Sequence, residues 1–219
     1  MKQERAVRTR QSLIRSAAES FERHGYVQAR LADISTNAGV SLGALHFHFE
    51  NKAAVAAAVE TTAAASLRRA GRLAQRPGMN ALQRLTRTSQ ALADQLHRDV
   101  VSRAGLRLSG DTARLSRVDL RQEWQACVRQ LLTEARDERL LVEHVDLTAM
   151  VATIVAATTG FGLLGRKDPR WVSPASLAGF WRLVMPCLAA PAPAQALGEV
   201  VAIGARAGAP EHDFLAATG

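Results

Sequence analysis

Residues 31–52 constrain the fold of this 219-residue chain more than any other stretch. Apolar residues recur at helical spacing from Leu31 to Ala38, which predicts a short amphipathic helix. Gly39 then stands where the end of a helix favours a left-handed residue, and Ser41 can accept a hydrogen bond from the free amides of a following helix. We therefore expect a second short helix to begin near residue 42.

Two short helices joined by a tight turn that contains glycine form a helix-turn-helix, whose second helix enters the major groove of DNA. The run from Ala38 to Lys52, AGVSLGALHFHFENK, also resembles the DNA-binding signature of TetR-type transcriptional repressors, and its spacing matches without a gap. The resemblance implies an N-terminal DNA-reading domain and a homodimer that binds a double-stranded operator. One alternative stays open: a helical protein with a well-capped helix pair and no role at DNA.

A first helix is predicted from about Ala6 to His24, with Gly25 as its stop. Arginines on and before its outer face can contact phosphates beside the groove, although the same pattern also fits a solvated face. Arg30 stands where members of the family usually carry a Thr or Ser that caps the next helix. A guanidinium cannot accept an amide hydrogen bond, so we expect that helix to start without a side-chain cap.

The second helix of the pair, residues 42–49, is expected to bury Leu45, Phe47 and Phe49 and to expose its other side. Family members often have a lysine at the position of Leu42 and a tyrosine at that of His46, so we expect either weaker affinity for DNA or a different operator here. His46 and His48 point about 200° apart on a helix and therefore cannot share a metal ion. The predicted DNA-contacting residues are Arg8, Arg10, Arg30, Ser41, Leu42, Gly43, Ala44, His46 and Lys52.

The remainder of the chain also reads as helical, with Ser173-Pro174 as one clear helix start. Arg68, Arg72 and Arg76 recur every four residues, which is most simply a solvated stripe. A charged segment at 109–116 is expected to be irregular, and the Ala-, Gly- and Pro-rich tail at 191–219 to be partly ordered, with a short helix near 196–206. The other predicted helices lie near 53–75, 79–99, 118–139, 147–165 and 174–190.

A second motif concerns a small ligand. The run Ala104-Gly105-x-Arg107-Leu108, followed further on by Glu123-Trp124, is similar to the γ-butyrolactone-receptor branch of the TetR family, in which the tryptophan walls a pocket for a small lactone or furan signal. In the plainer reading, Trp124 only fills the core. The resemblance implies a small apolar ligand in a pocket lined by Trp124, Leu106, Val128, Thr158 and Phe161.

Charge and cysteine content agree with an intracellular DNA-binding protein. The net charge of +8 favours a polyanionic partner, either nucleic acid or an anionic membrane surface. The chain has two cysteines, Cys127 and Cys187, without zinc or disulfide spacing, and we expect both to be buried. The amino terminus lacks the apolar core of a signal peptide, so we expect the protein in a reducing cytoplasm. We also expect it to bind neither a cofactor nor a metal.

Residues 147–165 carry no charge and come near the length of a membrane span. Their threonines and glycines dilute the hydrophobicity, which favours a buried helix and no membrane. This helix and its neighbour at 174–190 are both too apolar for a solvent-facing surface. They are therefore candidates for a two-fold dimer interface.

The sequence contains no pattern that supports catalysis. Residues 160–165, GFGLLG, spell the dinucleotide fingerprint GxGxxG, but that site requires a preceding strand, and none is predicted. Walker, nucleophile-elbow and HExxH motifs are absent as well. We therefore expect a protein that is not an enzyme.

Together these patterns predict an all-α protein with a three-helix helix-turn-helix domain at 1–50, a larger helical ligand-binding and dimerisation domain at 51–190, and a tail at 191–219. The predicted function is a repressor released from its operator by a small apolar signal such as a γ-butyrolactone. The alternative is a receptor-like regulator of antibiotic production that responds to an antibiotic or another apolar compound.

Overall fold

The computed structural model describes residues 2–110, 118–165 and 167–191. These residues form nine α-helices and one short 3₁₀-helix, and they contain no strand beyond one isolated bridge between Leu141 and Ala189. The predicted all-α class is confirmed. The helices are α1 Lys2–Gln28, α2 Leu31–Asn37, α3 Leu42–His48, α4 Lys52–Ala74, α5 Ala81–Arg98, α6 Val100–Ser109, α7 Leu120–Asp137, α8 Leu147–Leu164 and α9 Pro174–Leu188, with the 3₁₀-helix at Pro169–Val172.

Helix starts follow the capping residues in the sequence. The side chain of Asn80 accepts a hydrogen bond from the amide of Gln83, whose side chain bonds back to the amide of Asn80, so α5 begins with a complete capping box. Ser173 caps α9 ahead of Pro174, as predicted. Arg30 makes no side-chain cap at α2, also as predicted. The predicted stop at Gly25 is present as a break inside α1, where this glycine has φ 79°.

One hydrophobic core joins the first three helices to α4 and α6. Phe21 of α1, Ile34 of α2 and Leu45 of α3 are fully buried in it. Val59 of α4 and Ala104 of α6 belong to the same cluster. This cluster contains side chains from both sides of residue 50. A movement of α4 or α6 therefore also displaces side chains packed against α2 and α3.

A second core is built around Trp181 of α9, which is fully buried. Its indole N–H donates a 2.8 Å hydrogen bond to the hydroxyl of Ser89 on α5. Leu132 of α7 and Ile154 of α8 pack in the same cluster. Four helices, α5, α7, α8 and α9, are thereby fixed around one aromatic side chain.

Helices α4 and α6 touch with almost no side chain between them at Gly105. A Cβ atom at this position would collide with the Cβ of Ala63 and lie 3.5 Å from the carbonyl oxygen of Val59. Only glycine therefore allows this close crossing.

Helix α8 differs from its prediction. We expected a buried helix, but only Val151 and Ile154 of its 18 residues are buried. By length and composition it is also the one helix among the described residues that could cross a membrane. Glycines 160 and 162 lie in its last turns rather than after a strand, so the GxGxxG run is not a nucleotide-binding loop.

Two sequence predictions lie outside the described residues. These are most of the irregular segment at 109–116 and all but the first residue of the tail at 191–219, including its short helix.

Candidate DNA-binding and ligand-binding sites

The turn between α2 and α3 has the geometry expected from its sequence. Gly39 adopts φ 70°, the left-handed conformation that glycine tolerates without strain. The Ser41 hydroxyl accepts a 3.1 Å hydrogen bond from the amide of Ala44 and so caps α3. The structural roles predicted for Gly39 and Ser41 are confirmed.

Helix α3 presents one buried face and one exposed face. Leu45 and Phe49 are 0% and 4% exposed, whereas Phe47 is 83% exposed. The prediction that Phe47 is buried was therefore wrong. Residues four apart share one side of a helix, and the residue midway between them points to the opposite side.

The exposed face of α3 carries most of the predicted DNA-contacting positions of the helix-turn-helix. Leu42 is 43% exposed and Ala44 is half-buried. The exposed face of α3 therefore has few charged groups and many apolar atoms. Its other exposed positions are Ser41, Gly43, His46 and Phe47.

Three exposed arginines also belong to the predicted set of DNA-contacting residues. The Arg10 guanidinium lies 5.2 Å from the centroid of the Phe49 ring, a cation–π distance that places it beside the end of α3. Arg8 is exposed on the same helix, and Arg30 is exposed directly before α2. All three can be approached by a polyanion.

Lys52 has a structural role in addition to the predicted one. Its ammonium donates hydrogen bonds of 3.0 Å to the carbonyl oxygen of Val27 and 3.1 Å to that of Ala29, and it lies 4.8 Å from the centroid of the Tyr26 ring. These contacts join the start of α4 to the end of α1. Two of the three ammonium donors are used in this way, and the contact of Lys52 with a phosphate stays a prediction.

The Lys52→Met variant should lose about 1 to 3 kcal/mol of stability, because two carbonyl groups lose a charged donor. Urea unfolding followed by circular dichroism measures this change. Arg30→Met is the matched control, since Arg30 is exposed and makes no cap bond, and its effect should stay within about 0.5 kcal/mol. Equal effects of the two substitutions would contradict the structural role of Lys52.

A cavity of about 310 Å³ lies among α4, α5, α6, α7, α8 and the 3₁₀-helix. Four of the five predicted ligand-binding residues, Leu106, Trp124, Thr158 and Phe161, line it. No sequence motif marks the contribution of α4 and α5 to this cavity. The main residues missed there are Leu67, Gly71, Thr88, Leu92 and Leu96.

Trp124 is held in a fixed position in the cavity wall. Its indole N–H donates a 2.8 Å hydrogen bond to the Thr158 hydroxyl, which in turn donates to the carbonyl oxygen of Ile154 at 2.7 Å. Phe161 continues the wall and stacks on Trp171 with ring centroids 6.4 Å apart. Because the indole N–H is already bonded, the ring offers only its apolar surface to the cavity.

The fifth predicted residue, Val128, does not line the cavity. It is fully buried in the second core, and Cys127 faces the cavity instead. Burial raises the pKa of the Cys127 thiol, and the charge of Glu134 adds to the shift, so the thiol is neutral at pH 7. Cys127 is half-buried and Cys187 is exposed, so the prediction of two buried cysteines was wrong for Cys187.

The rim of the cavity is charged. Arg68 of α4 forms a bidentate pair with Glu123 of α7, with Nε to Oε2 at 2.9 Å and Nη2 to Oε1 at 2.5 Å. The pair's hydrogen bonds raise the pKa of Arg68. Arg72 and Arg121 also line the cavity. Arg68, Arg72 and Arg76 are all exposed, as the predicted solvated stripe requires, and the first two also border the cavity.

Comparison with known proteins identifies the family. The model of bacterial regulatory proteins of the tetR family matches residues 13–59, which hold α2, α3 and their flanks. The A-factor receptor protein of Streptomyces griseus is 31% identical over 197 residues, which span 87% of this chain and 67% of the relative. The chain belongs to the TetR family.

Solved structures of TetR proteins have the same fold over nearly their whole length. A γ-butyrolactone receptor described as ArpA-like matches with a TM-score of 0.79 and 27% identity, over 92% of this chain and 97% of the receptor. The TetR protein CprB of Streptomyces coelicolor, solved with its biological operator sequence, matches with a TM-score of 0.78 and 27% identity, over 93% and 98% of the two chains.

The chain is accordingly a ligand-responsive DNA-binding repressor of the TetR family, as the sequence predicted. TetR regulators bind operator DNA as homodimers, and the comparisons point to a regulatory family rather than to a family of enzymes.

Proposed function

We propose that this TetR protein is a cytoplasmic, homodimeric repressor that leaves its operator when a small molecule of the γ-butyrolactone class enters the cavity. The observation that carries this proposal is a largely apolar cavity walled by Trp124, with Leu106 of α6 among its lining residues. Relatives described as an A-factor receptor and a γ-butyrolactone receptor support the ligand class. By the same likeness, the regulated genes serve antibiotic production.

We assign DNA reading to residues 1–50 and ligand binding and dimerisation to residues 51–190. On the DNA side, Ser41, Gly43, Ala44 and His46 approach base edges or phosphates from the exposed face of α3. The apolar contact of Leu42 and Phe47 is suited to thymine methyl groups. Arg8, Arg10 and Arg30 contact flanking phosphates and add salt-dependent affinity.

Helix α6 connects the two sites through adjacent residues. Leu106 lines the cavity, and the next residue, Arg107, donates a 2.6 Å hydrogen bond from Nη1 to the carbonyl oxygen of Glu22 on α1. The Arg107 guanidinium also fills the space beside Gly25. A ligand that displaces Leu106 must therefore also move Arg107 against the DNA-reading helices.

Dimerisation is best supported by the exposed apolar surface of α8 and α9. Leu163 and Leu183 are 62% and 78% exposed. A two-fold pairing of these helices would cover them and also account for the membrane-like composition of α8. In such a dimer the two α3 helices must lie about 34 to 36 Å apart, or a multiple of that distance, to enter successive major grooves.

The proposal is tested by fluorescence anisotropy with DNA from upstream of the chain's own gene, at several salt concentrations and with or without an alkyl γ-butyrolactone. We expect a preferred site whose affinity falls when the lactone is added. Binding without sequence preference at every salt concentration would contradict a repressor. Calorimetric titration with lactones and with antibiotics then separates a lactone receptor from a regulator that responds to an antibiotic.

Arg107→Ala should uncouple the two sites. Ligand should still bind, but the ligand-induced loss of DNA affinity should shrink by about 5-fold or more, because an allosteric coupling is typically about 1 to 3 kcal/mol. Arg103→Ala is the matched control, since Arg103 on the same helix donates, within the part of the chain that the structure describes, only to carbonyl oxygens of Leu96 and His97 at the end of α5. Normal release by the Arg107 variant would exclude this connection.

A further inference from the structure

The lining of the cavity comes from two different hydrophobic clusters. One part, which we call the aliphatic wall, consists of Leu67 on α4 and of Leu92 and Leu96 on α5, and these leucines pack in one cluster. The other part, the aromatic wall, consists of Trp124 on α7 and Phe161 on α8, which pack against the second core. A molecule that fills the cavity therefore meets aliphatic side chains from α4 and α5 and aromatic rings from α7 and α8.

Gly71 continues the aliphatic wall one helical turn after Leu67. It is buried, it lines the cavity, and it lies in the last turn of α4. Glycine stabilises a helix less than alanine does, because it loses more backbone freedom on folding. A glycine inside an otherwise alanine-rich helix therefore has a cost, which some other property of this position must offset.

Neither backbone conformation nor helix packing requires glycine at position 71. Gly71 is not among the described glycines with a positive φ. A Cβ atom here would have one neighbour from another helix within 4 Å, the Cγ2 methyl of Thr88 at 3.4 Å, which is an ordinary van der Waals contact. At Gly105, by contrast, a Cβ atom would collide with α4. What glycine provides at position 71 is space in the cavity.

We infer that Gly71 determines the length of the chain that a ligand can carry. In this arrangement the lactone ring lies against the aromatic wall, and its alkyl chain lies along the aliphatic wall in the space that a side chain at position 71 would occupy. Burial of the chain against leucines supplies affinity in proportion to the apolar area removed from water. This inference rests on the proposed function and refines it, since it names a residue that selects among lactones by chain length.

Two lactones that differ only in chain length test the inference on the full-length protein: γ-hexalactone, with an ethyl chain, and γ-decalactone, with a hexyl chain. Each buried methylene strengthens binding roughly fourfold, so isothermal titration calorimetry should give γ-decalactone a Kd at least about tenfold lower than that of γ-hexalactone. In Gly71→Leu the new side chain takes the place of the alkyl chain. The Kd for γ-decalactone should then rise at least about tenfold, while that for γ-hexalactone stays within about threefold of the wild type.

Two further variants separate loss of space from loss of stability. Ala65→Leu adds the same kind of side chain to an exposed position of α4 that does not line the cavity, so both Kd values should stay at the wild-type level. Gly71→Ala takes up about the space of one methylene and favours the helix. It should therefore reduce the ratio of the two Kd values roughly fourfold without lowering the Tm.

The outcomes distinguish this inference from the proposed function. Tighter binding of γ-hexalactone by the wild type, an unchanged ratio of the two Kd values in both Gly71 variants, or an equal loss of both lactones in a folded Gly71→Leu protein would overturn the inference while the proposed function stands. Binding of neither lactone by the wild type would overturn the inference together with the lactone class of the proposed function.

Discussion

Replacement of Trp124 by alanine is expected to abolish ligand-induced release while operator binding in the absence of ligand stays unchanged. The indole forms part of the cavity wall and is fixed by its hydrogen bond to Thr158. A buried aromatic contact of this kind contributes at least about 2 kcal/mol to binding, so ligand affinity should fall roughly 30-fold or more. Calorimetry measures ligand binding, and anisotropy measures DNA binding.

The Trp124→Phe variant serves as the matched control. Phenylalanine keeps an apolar ring in the wall but cannot donate to Thr158, so its loss of ligand affinity should be smaller than that of alanine. Trp124 is half-buried and lies outside the helix-turn-helix, so neither variant should change the affinity for operator alone. Release of the alanine variant at wild-type ligand concentration would show that the ligand binds elsewhere.

The second large effect is expected at the dimer surface. Leu183→Asp places a charge in the middle of the apolar surface of α9, where the leucine is 78% exposed in a single chain. Burying that carboxylate against the partner is costly, so the protein should become monomeric. Losing simultaneous contact with two half-sites should then weaken operator binding by about 100-fold or more.

Light scattering coupled to size-exclusion chromatography reports the oligomeric state, and anisotropy reports the affinity. Leu73→Asp is a suitable control, because Leu73 on α4 is 70% exposed and lies on neither α8 nor α9. That variant should remain dimeric and bind its operator normally. A dimeric Leu183→Asp protein would exclude α9 from the interface.

Local signals in the sequence predicted the helices well. Gly39 and Ser41 specify the helix-turn-helix because the left-handed turn and the serine cap act within a few residues of chain. Ser173 and Pro174 mark the start of α9 for the same reason. The ligand-binding residues came from the family resemblance and not from a local signal, and four of the five line the cavity.

The features that the sequence did not predict are contacts between distant parts of the chain. No local pattern around Lys52 shows that its ammonium donates to carbonyl groups 23 and 25 residues earlier in the chain. The ion pair of Arg68 and Glu123 joins positions 55 residues apart, so the helical spacing of the arginines predicts their exposure but not this partner. Whether Cys127 or Val128 faces the cavity depends on how α7 is rotated about its own axis. Helical periodicity does not determine that rotation to within one residue.

The close crossing at Gly105 has a mechanical consequence. The backbones of α4 and α6 are nearly in direct contact there. No layer of side chains lies between the two helices that could rearrange when one of them moves. Leu106 and Arg107 both follow Gly105 directly, on the same side of this crossing. We therefore expect that a ligand that pushes Leu106 outward also displaces Arg107, so that strain at the pocket reaches α1 instead of being taken up by compression between α4 and α6.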